Sequence, residues 1–226
     1  MCGWCHAMID LSASALDVAP ALLGATLRAN GVGIRITETE AYLGAEDPAS
    51  HAFKGPSERN ASMFLAGGHA YTYLIYGVHV CLNIVTGEQG NGQAVLIRAG
   101  EVIEGEELAR ERRPNVIRSR DLAKGPANLV ACLGLSLEYD GEAIAVDNPE
   151  ARAAIHLVSG PECGRVAKGA RVGVSGIGGD RQLFPWRFWC DADPTVSPYR
   201  RGGGARAKHG RKADVDARNV DQLGFA

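Results

Sequence analysis

V-G-I-R-I-T-E-T-E-A-Y-L, residues Val32 to Leu43, alternates apolar and polar side chains with the period of a half-buried strand. That period places Val32, Ile34 and Ile36 on one face and carries the same face into Glu38, Glu40 and Tyr42. A core-facing row thus runs into two carboxylates. A carboxylate pressed against a core is desolvated, which disfavours its charged form unless a cation or donor compensates, and such tuning suits a general base. The alternative is that the strand leaves the sheet by Glu38 and both acids are solvated; the spacing does not choose between them. Just upstream, Asn30-Gly31 is a two-residue hairpin signal, so Thr26 to Arg28 is expected to pair with this strand.

Working outward, Leu43 to Gly68 is rich in Gly, Pro, Ser and charge and reads as a long surface excursion carrying His51, Lys54, Arg59 and Asn60 as donors for a phosphate backbone. His69 to Val85 reads as two strands broken at Tyr76-Gly77, with Val78, Val80, Leu82 and Ile84 on one face and His79, Cys81 and Asn83 on the other. Tyr76 then projects from a turn, a good place for a wedge; the plainer reading is that these tyrosines pack with their polar tips at a rim. Gln93 to Ala99 reads as a buried strand interrupted by Arg98. An arginine amid Val95, Leu96 and Ile97 requires an anionic partner, for which Glu40 is a candidate, and a purely structural ion pair would meet the same demand.

Helices are expected over Asp17 to Leu23, stopped by Gly24; over Glu104 to Arg113, whose bases read as a solvated face; and from Gly125-Pro126 to Gly134. Lys124 and the free amides at the start of the last helix are placed to take a phosphate. Further strand-like runs are Ala143 to Val146, Ile155 to Val158, Arg171 to Val174 and Trp186 to Cys190. The pattern predicts a single α+β domain, a curved and mostly antiparallel sheet flanked by helices, over residues 16–199. A short extension, 1–15, precedes it, and a basic, glycine-rich tail, 200–226, expected to be disordered, follows.

No apolar run of about 18 residues appears, which excludes a membrane-spanning helix, and without an export signal a cytoplasmic location is expected, at the nucleoid in a bacterium or in the nucleus of a eukaryote. The net charge of -2 is low for a protein that handles nucleic acid, but it is unevenly spread: residues 200–226 hold 7 basic and 3 acidic side chains. Any grip on phosphates must come from local patches and be salt-sensitive. The 6 cysteines are expected to be reduced. Cys2-Gly-Trp-Cys5-His6 formally fits haem, redox and zinc patterns, yet it has no preceding strand and no second ligand pair, and is read as chance.

Taken in order, E-T-E-A-Y, a histidine eleven residues after the second Glu, Y-x-Y-x-x-Y-G, C-x-N, L-I-R, K-G-P-A-N-L, R-V-G-V and P-W-R-F run from about Ala19 to about Tyr199. In this combination the chain resembles the alkyladenine (3-methyladenine) DNA glycosylase family. The resemblance implies that Glu40 activates the water attacking the anomeric carbon of a flipped nucleotide, with Arg98 helping to hold that water and a nearby phosphate. It implies base-stacking walls at Tyr42, His51 and Tyr73, an intercalating Tyr76, an Asn83 that clashes with the amino group of normal guanine, and a water-positioning backbone carbonyl at Val174. Weaker backbone contacts would come from Lys54, Arg59 and Lys124. Glu38 is read as structural on the family pattern. The resemblance further implies a monofunctional hydrolase without lyase activity and without metal or organic cofactor, a monomer acting on double-stranded DNA that contains damaged bases, and no membrane partner. Alkylated purines, and hypoxanthine as a further substrate, would leave an abasic site for base-excision repair. The chain departs from the pattern at Ser57-Glu58, where Thr-Pro is common. Rival readings are a module that binds distorted DNA without chemistry, which has no use for both Glu40 and Arg98, and a nucleoside hydrolase acting on free nucleosides.

Overall fold

The computed structural model describes residues 9–203 of the 226, so the Cys2-Cys5-His6 motif and the tail from residue 204 onward lie outside the described residues. Among them, three α-helices, α1 (Ala15–Ala21), α2 (Glu106–Arg112) and α3 (Pro126–Leu133), accompany nine strands. The strands are β1 (Thr26–Ala29), β2 (Val32–Leu43), β3 (Ala70–Ile75), β4 (His79–Thr86), β5 (Gln93–Glu104), β6 (Ile144–Val146), β7 (Ile155–Val158), β8 (Val166–Gly169) and β9 (Arg187–Cys190). They form one sheet in the order β3-β4-β5-β2-β1-β7-β6, with β9 joining β2 to β8. All pairs are antiparallel except β6 with β7. This is the α+β domain the pattern predicts. No helix among the described residues is long and apolar enough to cross a membrane.

The principal core lies where α1 and α3 pack on the sheet: Leu22, Leu27, Ile34, Leu82, Ile97 and Leu129 are fully buried there. Each such side chain contributes about 1.5–3 kcal/mol relative to exposure. Pro126 starts α3 and Gly134, at φ 62, ends it in the left-handed conformation, as expected. At Asn30 and Gly31, φ is 47 and 79, the paired positive values that a tight hairpin turn between β1 and β2 requires. The core also takes in Leu11, and the Gly87 N–H donates to the Leu11 carbonyl at 3.0 Å.

β2 places the carboxylates, and it does so differently from the simple period. Its ladder with β5 is irregular on both sides of Glu38. Arg35 reaches Asp193 at 2.8 Å, the hydroxyls of Thr37 and Thr195 meet at 2.8 Å, and the Ser197 N–H donates to Glu38 Oε2 at 2.8 Å. Arg35, Thr37 and Glu38 therefore face one segment, although Thr37 and Glu38 are adjacent. Thr39 and Ala41 take over the core side, Thr39 Oγ1 donating to the Ala19 carbonyl at 2.8 Å. The row of Val32, Ile34 and Ile36 thus continues into Thr39 and Ala41, not into Glu38, Glu40 and Tyr42, because the irregularity exchanges the faces. The acids are nevertheless not solvated: both are 0% exposed. β9 pairs with Glu38 to Glu40 on the edge of β2 away from β5, and the 193–197 segment lies across the far side.

Three further expectations are corrected. Arg171 to Val174 is not a strand; the local strand is β8, and Gly173 at φ 75 interrupts extension while the Val172 N–H is engaged by a side chain. The bases of α2 are not simply a solvated face: Arg112 donates to the carbonyls of Cys132 at 2.7 Å and Asn30 at 2.8 Å, and Arg113 donates to that of Leu122. Asn60 is not free for a phosphate, since it is buried and its amide caps the Ser57 turn and donates to His51 O at 2.9 Å. The four cysteines among the described residues are free thiols.

Candidate active site

β3, β4, β5, β2 and the 172–175 loop surround a cavity of about 390 Å³. Its lining includes Tyr42, His51, Tyr73, Tyr76, Asn83, Arg98 and Val174, seven of the positions singled out from the sequence. The alternation of β4 explains part of this: Leu82 and Ile84 enter the core while Cys81 and Asn83 face the cavity, as the period predicts.

Glu40 stands one layer behind the wall. The Val172 N–H donates to its Oε1 at 2.7 Å, the Tyr42 hydroxyl donates to its Oε2 at 3.0 Å, and Arg98 Nη1 lies 3.5 Å from Oε2. Two donors and a cation thus converge on a carboxylate without exposed surface. The loop residue in contact is Val172, through its N–H; Val174 contributes to the cavity wall. Burial works against the charge of Arg98, but Glu40 and Glu38 more than offset it and raise its pKa above the ordinary value.

Glu38, two residues away, is saturated. Its Oε1 accepts from Arg98 Nε at 3.1 Å, Arg187 Nε at 2.6 Å and Ser197 Oγ at 3.0 Å, and its Oε2 accepts from the Ser197 N–H. It holds Arg98 in place and offers nothing to a ligand. Arg187 was recognisable by the signal that marked Arg98, an arginine between apolar neighbours, here Trp186 and Phe188. Its partner, by contrast, lies 149 residues away in the chain.

The aromatic wall is built edge and face. The Tyr71 and Tyr73 rings stack at 5.4 Å and 22°, and His51 meets Tyr73 edge-on at 4.6 Å. His51 Nδ1 lies 2.9 Å from the Tyr71 hydroxyl, and the Asn83 amide donates to the Tyr71 carbonyl at 3.3 Å. Burial pushes the Tyr71 pKa up to about 12 and that of Cys81 up to about 11, so both remain protonated at neutral pH. Partial desolvation, with Arg59 nearby, lowers the pKa of His51 and favours the neutral imidazole. Behind Tyr42 lies a pair that sequence reasoning missed: Arg171 bridges both oxygens of Asp47, its guanidinium carbon 4.6 Å from the Tyr42 ring centroid. R-V-G-V marked the segment, but the strand expectation concealed the role of its arginine.

At the mouth, Tyr76 is 88% exposed at φ 54, on the turn between β3 and β4. Arg59 is exposed and donates to the Leu74 carbonyl at 3.2 Å, close to that turn, and Lys54 is likewise exposed. Lys124 pairs with Asp121 at 3.1 Å just ahead of Pro126, a residue of the cavity wall.

A slot walled by aromatic rings, backed by a buried acid and arginine and fronted by a projecting tyrosine, has the surface chemistry to take a flat ring system. The sequence profile of the methylpurine-DNA glycosylase family matches residues 10–194. Relatives include proteins of Cutibacterium acnes (49% identical, covering 84% of this chain and 98% of the relative), Streptomyces avermitilis (49%, covering 82% and 87%) and Leifsonia xyli subsp. xyli (48%, covering 84% and 90%). All three bear the provisional name 3-methyladenine DNA glycosylase. The chain belongs to the methylpurine-DNA glycosylase family and is a DNA glycosylase, a repair enzyme.

Proposed function

We propose that this enzyme extrudes an alkylated purine nucleotide from duplex DNA and hydrolyses its N-glycosidic bond, leaving an abasic site, and that hypoxanthine is released in the same way. The observation that carries this reading is the position of Glu40, wholly buried yet bonded to two residues of the aromatic cavity wall, Tyr42 and Arg98.

A base inside a duplex is out of reach, and extruding it costs a few kcal/mol, least for damaged or mispaired nucleotides. Tyr76 fills the gap left in the stack, and the extruded base lies against Tyr42, His51 and Tyr73, each stack contributing roughly 1–3 kcal/mol. Alkylation at a ring nitrogen makes the base cationic, which strengthens its attraction to electron-rich rings and makes it a better leaving group. Asn83 excludes normal guanine by clashing with its amino group. The attacking water enters between Tyr42 and Arg98 and gives its proton to Glu40. The anionic carboxylate also stabilises the oxocarbenium-like charge as the bond breaks. Arg98 and the Val174 carbonyl hold the water, and Lys54, Arg59 and Lys124 contact the DNA backbone. The enzyme works as a monomer at the bacterial nucleoid and needs no cofactor.

Single-turnover release from a duplex holding one lesion tests this. Glu40→Gln should bind that duplex as the parent protein does and release no base; release at the parental rate would remove Glu40 from the mechanism.

A further inference from the structure

The Tyr42 ring lines the cavity and has a buried cation, itself outside the cavity, over one of its faces. Arg171 is 0% exposed, and its guanidinium carbon sits 4.6 Å from the Tyr42 ring centroid and 5.2 Å from that of Trp186. Its two terminal nitrogens engage both oxygens of Asp47, and they also donate to Ala41 O at 3.0 Å and Gly178 O at 2.9 Å. Asp47 is equally buried and accepts in addition from the N–H of Ala49 at 2.9 Å. Neither residue lines the cavity, and the reaction as proposed uses neither.

A guanidinium on one face of an aromatic ring draws on the same quadrupole that attracts a cation to the other face. It also repels such a cation through a medium of low dielectric. Arginine cannot escape this by losing its proton. A wall meant to stack on a positively charged base therefore needs the charge behind it cancelled, and the bidentate carboxylate does so.

We propose that Asp47 is a specificity-determining residue: by neutralising Arg171 behind the Tyr42 ring, it makes the cavity tolerant of cationic bases. The inference rests on the glycosylase reading above and adds to it a residue that sets the preference between charged and neutral lesions. Asp47 touches no substrate and acts through Arg171 and Tyr42.

The test compares release of 3-methyladenine, cationic in the nucleotide and, like hypoxanthine, without the amino group that Asn83 excludes, with release of hypoxanthine, a neutral base, from matched duplexes under single-turnover conditions, with enzyme in excess but below saturation. In Asp47→Asn the ratio of the two rates should fall on the order of tenfold, the weight of one uncompensated charge across an aromatic ring. In Arg171→Gln, which leaves the carboxylate as the surplus charge, the ratio should rise. A merely structural role for the pair would slow both lesions and leave the ratio in place. An unmoved ratio in Asp47→Asn, or movement in the same direction in both variants, overturns the proposal. Where Asp47→Asn gives no cooperative unfolding transition, the direction of the ratio in Arg171→Gln decides. Failure of the parent protein to release either base would refute the glycosylase mechanism instead, a result separate from parental release with unmoved ratios.

Discussion

Glu38 and Glu40 sit on the same strand, face the same way and are equally buried, and only their partners differ. Glu38 is enclosed by Arg98, Arg187 and Ser197, whereas Glu40 is bonded to the cavity residues Tyr42 and Arg98. Replacing Glu38 by Gln leaves two buried guanidinium groups without their shared anion, a change that typically costs about 3–5 kcal/mol. Urea unfolding should show a loss of that size for Glu38→Gln and a clearly smaller one for Glu40→Gln, since Arg98 keeps Glu38. Equal losses would contradict the division of labour between the two acids. Tyr76 presents the reverse case, a large aromatic with almost no packing. Tyr76→Ala should shift stability by no more than about 0.5 kcal/mol while slowing base release from duplex DNA by the stacking contribution of roughly 1–3 kcal/mol. A thermal melt and single-turnover rates on the same preparation separate the two effects.

At the scale of elements, β2 changes edge partners where its faces exchange. Its first half lies between β1 and β5, its second between β9 and β5, and the irregularity at Glu38 marks the transition. Close approach of β2 and β5 here depends on Gly100, opposite Ile36: an added Cβ would fall 2.5 Å from the Arg35 carbonyl oxygen and closer still to the Ile34 side chain. Gly100→Ala should therefore cost more than about 1–3 kcal/mol, the usual range for overpacking, because the obstruction is backbone. Chemical denaturation measures this, and a parental midpoint would mean that the strands part freely. The Asn30-Gly31 hairpin, the α3 boundaries and the alternation of β4 were legible because each depends on local chemistry: positive φ, Pro and Gly caps, a period of two. The bulge was not, because nothing in Ile36-Thr37-Glu38 distinguishes a reversed pair from a regular one; the pairing of β2 with β5 and β9 decides it.

Across the whole molecule, the buried site balances its charges: Glu38, Glu40 and Asp47 face Arg98, Arg171 and Arg187. The 193–197 segment that covers Glu38 is itself tied down through Asp193, bonded to Arg35 and Thr195. Burial acts to raise the pKa of Asp193, but Thr195 and Arg35 outweigh it and hold the pKa below the ordinary value. The unfolded chain therefore takes up this proton at higher pH than the folded protein does. The resulting stabilisation is complete above the unfolded carboxylate pKa of about 3.9 and is lost as pH falls through the lower folded value. Thermal melts between neutral and strongly acidic pH should show Asp193→Asn with a shallower acid limb; an identical limb would assign acid sensitivity to other carboxylates. The sequence by itself determined the α+β class, most of the strands, the side of β4 on which Asn83 lies and the need of Arg98 for an anion, because periodicity and a charge amid apolar neighbours are local signals, whereas Tyr42, His51 and Tyr73 were marked as walls by the family resemblance and not by the period. Only the tertiary structure decided that the two acids leave the core face, that Glu38 rather than Glu40 is saturated, and that Arg171 stands behind Tyr42. The physical reason is range: Arg171 finds Asp47 across 124 residues and Ser197 finds Glu38 across 159, so no local pattern encodes which carboxylate is enclosed and which remains bound to the cavity wall.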